Sequence, residues 1–239
     1  MRALIVVMAL AGVAEAAPDS QDGSEDGPVM HDGRELVGIT AGTRAGDGGG
    51  FVLGQSDWNS TEGLSLTAGA EVPVWHHLRA VLRIEGVGNN GRPGAGLAYV
   101  LAPYATAYLL YKAEGFSEPE GEIESAIALA HSAGPLLIAG SVTYGQDVDA
   151  KNRDVELATA ERLPVTDRVF AGMTARYRDA LGTTGEALAR DGVGGATATV
   201  VVDRVAITAL AGVASVQRNG IGQTMHTGAA ATLAIGAAF

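Results

Sequence analysis

Cysteine is absent from all 239 residues, so whatever stabilises this chain does so without disulfides. Aromatic side chains are scarce, with two Trp, six Tyr and four Phe, although a large soluble core usually draws on them. A basic excess is also missing. The 16 Lys and Arg are outnumbered by 27 Asp and Glu, for a net charge of −11, which argues against nucleic acid and against anionic lipid surfaces as partners. Uninterrupted apolar runs are lacking too. The two best candidates for a membrane helix, Gly94 to Tyr111 and Gly195 to Val216, are cut by Pro103 and by Asp203-Arg204. Proline removes a helix hydrogen bond and clashes with the preceding turn, so each run reads as two strands around a tight turn. What the chain does have is glycine, at 34 residues, and an apolar content of 47%.

The first residues carry an export address. Arg2 is a positive start, Ala3 to Val13 is apolar, and Ala14-Glu15-Ala16 sets small residues at the −3 and −1 positions of a cleavage site. The apolar stretch is too short to span a bilayer. Residues 1–16 are therefore expected to be a signal peptide cleaved after Ala16. Residues 17–33 form an acidic Gly-, Asp- and Ser-containing tail, expected to be disordered and periplasmic. The rest, 34–239, is enough for one large domain.

From Arg34 onward the chain breaks into twelve segments that alternate with period two, the signature of strands: about 34–44, 62–72, 79–87, 94–102, 105–113, 122–131, 135–144, 154–162, 167–177, 194–202, 204–216 and 227–239. In the ninth, Val169, Ala171, Met173, Ala175 and Tyr177 share one face, while Gly172, Thr174, Arg176 and Arg178 share the other with Phe170. In the third, Ala80, Leu82 and Ile84 oppose Arg79, Arg83 and Glu85. In the second, Leu64, Leu66, Ala68 and Ala70 oppose Ser65, Thr67 and Glu71. One face suits lipid and the other suits water.

The connections alternate as well. Short ones fall near 73–78, 103–104, 132–134, 163–166 and 203. Long Gly-, Asn- and Asp-rich ones fall near 45–61, 88–93, 114–121, 145–153, 178–193 and 217–226. Beyond the tail every proline sits in a connection or at a strand's first residue, where it costs no ladder bond. Short turns at one end and long loops at the other are how membrane barrels are built. The expected fold is all-β: a transmembrane antiparallel up-and-down β-barrel of twelve strands, with ten to fourteen also compatible with the spacing. Its aromatic girdles would draw on Trp75, Tyr99, Tyr104, Tyr108, Tyr111, Tyr144 and Tyr177, a thin set. The alternative, a soluble secreted β-sandwich, would bury the apolar face, yet that face is largely Ala, Val, Leu and Gly.

The last segment ends in Phe239, preceded on the same face by Ala237, Ile235 and Leu233. This resembles the C-terminal signal of bacterial outer-membrane β-barrels, in which a terminal aromatic follows alternating apolar residues. The third-from-last residue is often aromatic in that family, whereas here it is Ala237. The resemblance implies residence in the bacterial outer membrane, contact with its lipids, and insertion by the barrel-assembly machinery.

Catalytic chemistry has little to draw on. Of five histidines, His31 is in the tail, His76-His77 in a short turn, and His131 near another. Only His226, beside an outer loop, is placed for a Ser–His lipid hydrolase acting at the outer leaflet, and no serine stands at a recognisable spacing from it. His76-His77 lacks neighbouring ligands for a metal. No cofactor is implied. The lumen face is more informative. Glu71 and Arg79 meet across a short turn, Arg83 shares a face with Glu85, and Asp154 and Glu156 oppose Arg176 and Arg178 across the turn near 163–166. Charges of both signs among Gly, Ala, Ser and Thr describe either a narrow polar constriction or a salt-bridged closed interior. The favoured function is a narrow diffusion channel for ions or small polar solutes. A non-conducting structural or adhesive barrel working through its loops, and an outer-leaflet lipid hydrolase, are the alternatives.

Overall fold

The computed structural model describes residues 50–86, 91–102, 105–115, 121–149, 152–181, 190–203, 205–217 and 224–239. Twelve strands follow one another: β1 Phe51–Asn59, β2 Gly63–Trp75, β3 Leu78–Glu85, β4 Arg92–Ala102, β5 Ala105–Ala113, β6 Gly121–Ala133, β7 Leu136–Asp147, β8 Arg153–Pro164, β9 Val169–Ala180, β10 Arg190–Val202, β11 Val205–Gln217 and β12 His226–Ala238. Each pairs antiparallel with its neighbours in sequence. β1 also pairs with β12, from Phe51 opposite Ala238 to Asn59 opposite Ala230, and so closes the ring. Closure leaves no strand edge unpaired, the one arrangement of strands that lipid tolerates. Two further bonds, Gly50 N–H to the Phe239 carbonyl and Phe239 N–H to the Gly50 carbonyl, both 2.9 Å, extend the seam past the strand ends.

The barrel has the expected strand number, but one strand differs. The segment 34–44 lies outside the described residues, as do 1–16 and 17–33. The remaining place in the ring belongs to Phe51–Asn59, inside the stretch 45–61 that reads as an outer loop. Polar Gln55, Asp57 and Asn59 fill the lumen face of β1, and Gly54 and Ser56 thin its outer face. That mixture hides the alternation. The following connection is only Ser60 to Glu62, tied by Asn59: its Oδ1 accepts the Thr61 and Glu62 N–H groups at 3.0 and 2.7 Å.

Short connections gather at the other end. His76 and Asp203 adopt positive φ there, 40° and 53°, and Gly134 (φ 61°) opens the β6–β7 turn at Pro135. In the β8–β9 turn the Thr166 hydroxyl accepts the Val169 N–H at 3.1 Å. Both predicted helix-length runs are hairpins, β4–β5 and β10–β11. Among the described residues no helix is long and apolar enough to cross a membrane.

Register sorts the side chains cleanly. Leu82, Leu97, Leu109, Ile127, Val142, Leu157, Met173, Val213 and Leu233 point outward and are exposed, as a lipid-facing band requires. Outward aromatics rim the band at both ends. Trp58, Tyr111, Tyr144 and Tyr177 lie toward the long loops, with Trp75, Tyr99 and Phe239 toward the short turns. Tyr108 does not belong to a girdle. It pairs with Ala98 and Ala126, which are buried inward, and packs against Val81, Ala98 and Leu110. Tyr104 lies outside the described residues.

Candidate functional site: the charged belt of the lumen

An inward position in a barrel strand recurs every second residue, so any charge of the right parity projects into the lumen. The structure places all eight sequence-predicted lumen charges there. Arg79 Nη1 is 3.7 Å from Glu71 Oε2 near the short-turn end. Arg83 Nη1 is 3.2 Å from Glu85 Oε1 on its own strand. Arg176 Nη1 donates to Glu156 Oε2 at 2.8 Å, and Arg178 Nε to Asp154 Oδ2 at 2.9 Å. The directly opposed residues are Glu156 and Arg178, so both ion pairs run diagonally across the ladder.

Several members are absent from the sequence expectation. Lys112 Nζ donates to Glu124 Oε1 at 2.5 Å and lies 3.5 Å from both Glu85 and Glu122. Arg92 Nη2 is 3.6 Å from Glu122 Oε2, and Arg83 Nη1 reaches Glu124 Oε2 at 3.9 Å. Arg176 also donates to Asp191. Asp57, buried on β1, accepts from Thr232 Oγ1 at 2.6 Å and from Gln55 Nε2 at 2.7 Å, and the Arg176 guanidinium acts on it electrostatically from β9. Arg92 and Lys112 stand out in the sequence only as the flanks of an apolar run. Asp57 and Asp191 fall in stretches that read as loops. Extending each expected strand's parity past its apolar centre would have found all of them except Asp57, whose strand reads as a loop in the sequence.

These groups form one belt. One part, on β3 to β6, joins Arg83, Glu85, Arg92, Lys112, Glu122 and Glu124. The other, on β8 to β10, joins Asp154, Glu156, Arg176, Arg178 and Asp191. Gly145 on β7 is the hinge between them. A Cβ there would stand 1.9 Å from Glu122 Oε1 and 2.9 Å from Asp154 Oδ1. Glycine is what lets carboxylates from β6 and β8 converge over the intervening strand.

The belt is off-centre. Its strand positions fall in the few residues nearest the long loops: the ends of β3, β5 and β9, and the starts of β4, β6, β8 and β10. Below it the inward residues turn small and neutral, with Ala126, Ala139, Ala158, Ala160, Thr174, Thr197, Thr199, Thr208, Ala230 and Ala234. The charged exceptions among the described residues are the Glu71–Arg79 pair and Arg162, the last only 2% exposed near the short turns.

The described histidine side chains, His76, His77 and His226, do not come together in a second site. His226 pairs with inward Val216, so it stands on the lumen side of the long-loop rim and not on the lipid-facing side that outer-leaflet hydrolysis requires. The nearby Ser215 hydroxyl pairs with Thr227 at 2.8 Å. His76 and His77 lie in the β2–β3 turn against aromatic rings, at 5.1 Å from Trp75 and 6.2 Å from Tyr99. Among the described residues no cluster of His, Asp or Glu could hold a metal ion.

No family model matches the sequence, and no curated protein matches it. Solved structures do match the fold. The NanC porin superposes with a TM-score of 0.51 at 8% identity, covering 77% of this chain and 98% of its own. The KdgM porin in complex with disordered oligogalacturonate gives 0.51 at 7% identity, covering 79% and 99%. LpxR from Salmonella typhimurium gives 0.51 at 6% identity, covering 80% and 100%.

Proposed function

We propose that this chain, which has the fold of bacterial outer-membrane porins, is a narrow diffusion channel through which ions or small polar solutes cross the outer membrane. The observation that supports it is the composition of the lumen wall. A wall meant to seal itself would carry large apolar side chains inward. This one carries a polar belt above a wall in which Gly, Ala, Ser and Thr predominate and large apolar side chains such as Phe51, Leu53, Leu110 and Leu210 are scattered, too few to fill a twelve-strand barrel. The belt's cations each sit beside carboxylates, so nothing in it favours anions as a class. Arg83, Glu85, Asp154, Glu156, Arg176 and Arg178 are its constriction, together with Lys112, Glu122, Glu124 and Asp191, and Glu71 with Arg79 adds a separate charged pair nearer the short turns. The assembly machinery reads Leu233, Ile235, Ala237 and Phe239, of which Leu233 and Phe239 are exposed on the outer face.

Planar-bilayer recording of the refolded, signal-free protein tests the reading. Unit conductance steps support it, and a flat baseline at every voltage overturns it. The close pairing of the belt favours a second reading, a non-conducting barrel that binds through its long loops. A flat baseline together with ligand binding by those loops supports that instead.

A further inference from the structure

Two carboxylates of the charged belt each give one oxygen to the protein's own cations and turn the other toward Gly145. Glu122 Oε2 lies 3.5 Å from Lys112 Nζ and 3.6 Å from Arg92 Nη2. Asp154 Oδ2 accepts from Arg178 Nε at 2.9 Å. The second oxygens, Glu122 Oε1 and Asp154 Oδ1, have no hydrogen-bond or ion-pair partner among the described residues. Both residues are buried, Glu122 to 4% exposure and Asp154 to 8%. A Cβ on Gly145 would stand 1.9 Å from the first oxygen and 2.9 Å from the second, which bounds their separation at about 4.8 Å. Like charges that close, in a partly dehydrated site, repel at a cost that a positive donor between them removes. The belt's own groups leave such a charge to be supplied, because it joins six carboxylates to five cations among the described residues.

We propose that Glu122 Oε1 and Asp154 Oδ1, held over Gly145, form a subsite for the primary ammonium group of a small solute in the channel. An ammonium nitrogen that donates to two oxygens at about 2.8 Å along tetrahedral directions holds them about 4.6 Å apart, inside the bound set at Gly145. Both acceptors bear charge, so both bonds are of the stronger kind. A hard metal ion fits less well. Ca2+ gathers about six to eight oxygens, and among the described residues no third His, Asp or Glu joins these two in a metal-holding group. A quaternary ammonium has the charge without the N–H donors and cannot bridge the pair. Lys112 and Arg178, placed on the far oxygens, hold the two carboxylates in this orientation. Glycine at 145 leaves the space between them open to the lumen. The subsite deepens the channel reading and rests on it for the solute's passage, not for its binding.

Two readouts on the refolded, signal-free barrel test this. The probe is methylammonium chloride, compared with tetramethylammonium, which has equal charge and no N–H donor, and with CaCl2. Saturation-transfer NMR reads binding of the organic cations, and its loss on adding Ca2+ reads competition. Planar-bilayer recording reads the same binding as a reduced K+ current. Methylammonium should bind, and reduce the current, at concentrations where tetramethylammonium does neither. Asp154→Asn removes the charge of one acceptor and should weaken methylammonium about tenfold or more. Because Asp154 also holds Arg178, a second variant is needed. Gly145→Ala keeps every charge but puts a methyl between the two oxygens, and it should weaken binding as much. Gly140→Ala, on the outer face of the same strand, should leave binding unchanged. Equal effects of the two organic cations, or methylammonium binding that survives both Asp154→Asn and Gly145→Ala, would overturn the subsite. Block by Ca2+ without block by methylammonium, lost in the same variants, would assign the oxygens to a metal and overturn it equally. A flat baseline with methylammonium bound would sink the channel and leave the subsite standing, and K+ current without methylammonium binding would do the reverse.

Discussion

A single arginine moved along the outer face measures where the bilayer lies. Leu233 sits near the middle of β12, flanked by Ala209 and Ser56, and is 42% exposed on the lipid side. Replacing it with Arg puts a charge near the midplane, at a cost of about 2–4 kcal/mol. At 1.4 kcal/mol per decade that is a loss of about 30- to 700-fold in the folding equilibrium. Ser215 also faces outward, on β11, but only two residues from the strand's long-loop end. Ser215→Arg can hold its head group in the interface and should cost about 0–1 kcal/mol. Denaturant titration of vesicle-embedded protein, followed by the fluorescence of Trp58 and Trp75 and by heat-modifiable gel mobility, reads both variants. Equal penalties at the two positions, or a stable Leu233→Arg barrel, would mean that β12 does not face lipid in this register.

Other perturbations address the seam, the belt and the wall. Deleting Phe239 removes both hydrogen bonds to Gly50 and the terminal aromatic. Fractionation should show normal export but loss of heat-modifiable membrane protein, and full insertion would refute the role. Arg176→Met strands Glu156 and Asp191 together and should cost about 3–5 kcal/mol in denaturant titration; a cost below 1 kcal/mol would show that the pairs are not desolvated. Ala234→Ser sets a hydroxyl directly opposite Gln55, whose Oε1 has no hydrogen-bond partner among the described residues. It should be neutral or stabilise by up to about 1.5 kcal/mol, and destabilisation would refute the inward placement. Gly145→Ala must push the Glu122 carboxylate aside and should alter unit conductance more than Gly140→Ala, whose added Cβ meets only a backbone oxygen at 3.2 Å.

How much of this was legible beforehand depended on how sharply each strand separates its faces. β9 announces itself because Val169, Met173 and Tyr177 oppose Thr174, Arg176 and Arg178. β12 does so through Leu233, Ile235 and Phe239. β1 does not, because Gly54 and Ser56 dilute its outer face while Asp57 and Asn59 look like loop residues. Its identity as a strand comes from pairing with β2 and β12, a long-range fact that local periodicity does not contain. The same blindness hid half of the belt. A lysine closing an apolar run, as Lys112 does, looks like a boundary marker until the ring brings Glu85, Glu122 and Glu124 around it.

The off-centre belt makes the barrel electrically lopsided. In the proposed channel, all but a few of the described lumen charges lie near the long-loop mouth, so an ion arriving from that side would meet them first and one from the short-turn side would meet them last. A profile without mirror symmetry passes current unequally in the two directions. The sense of that rectification then reports which way up each barrel has inserted.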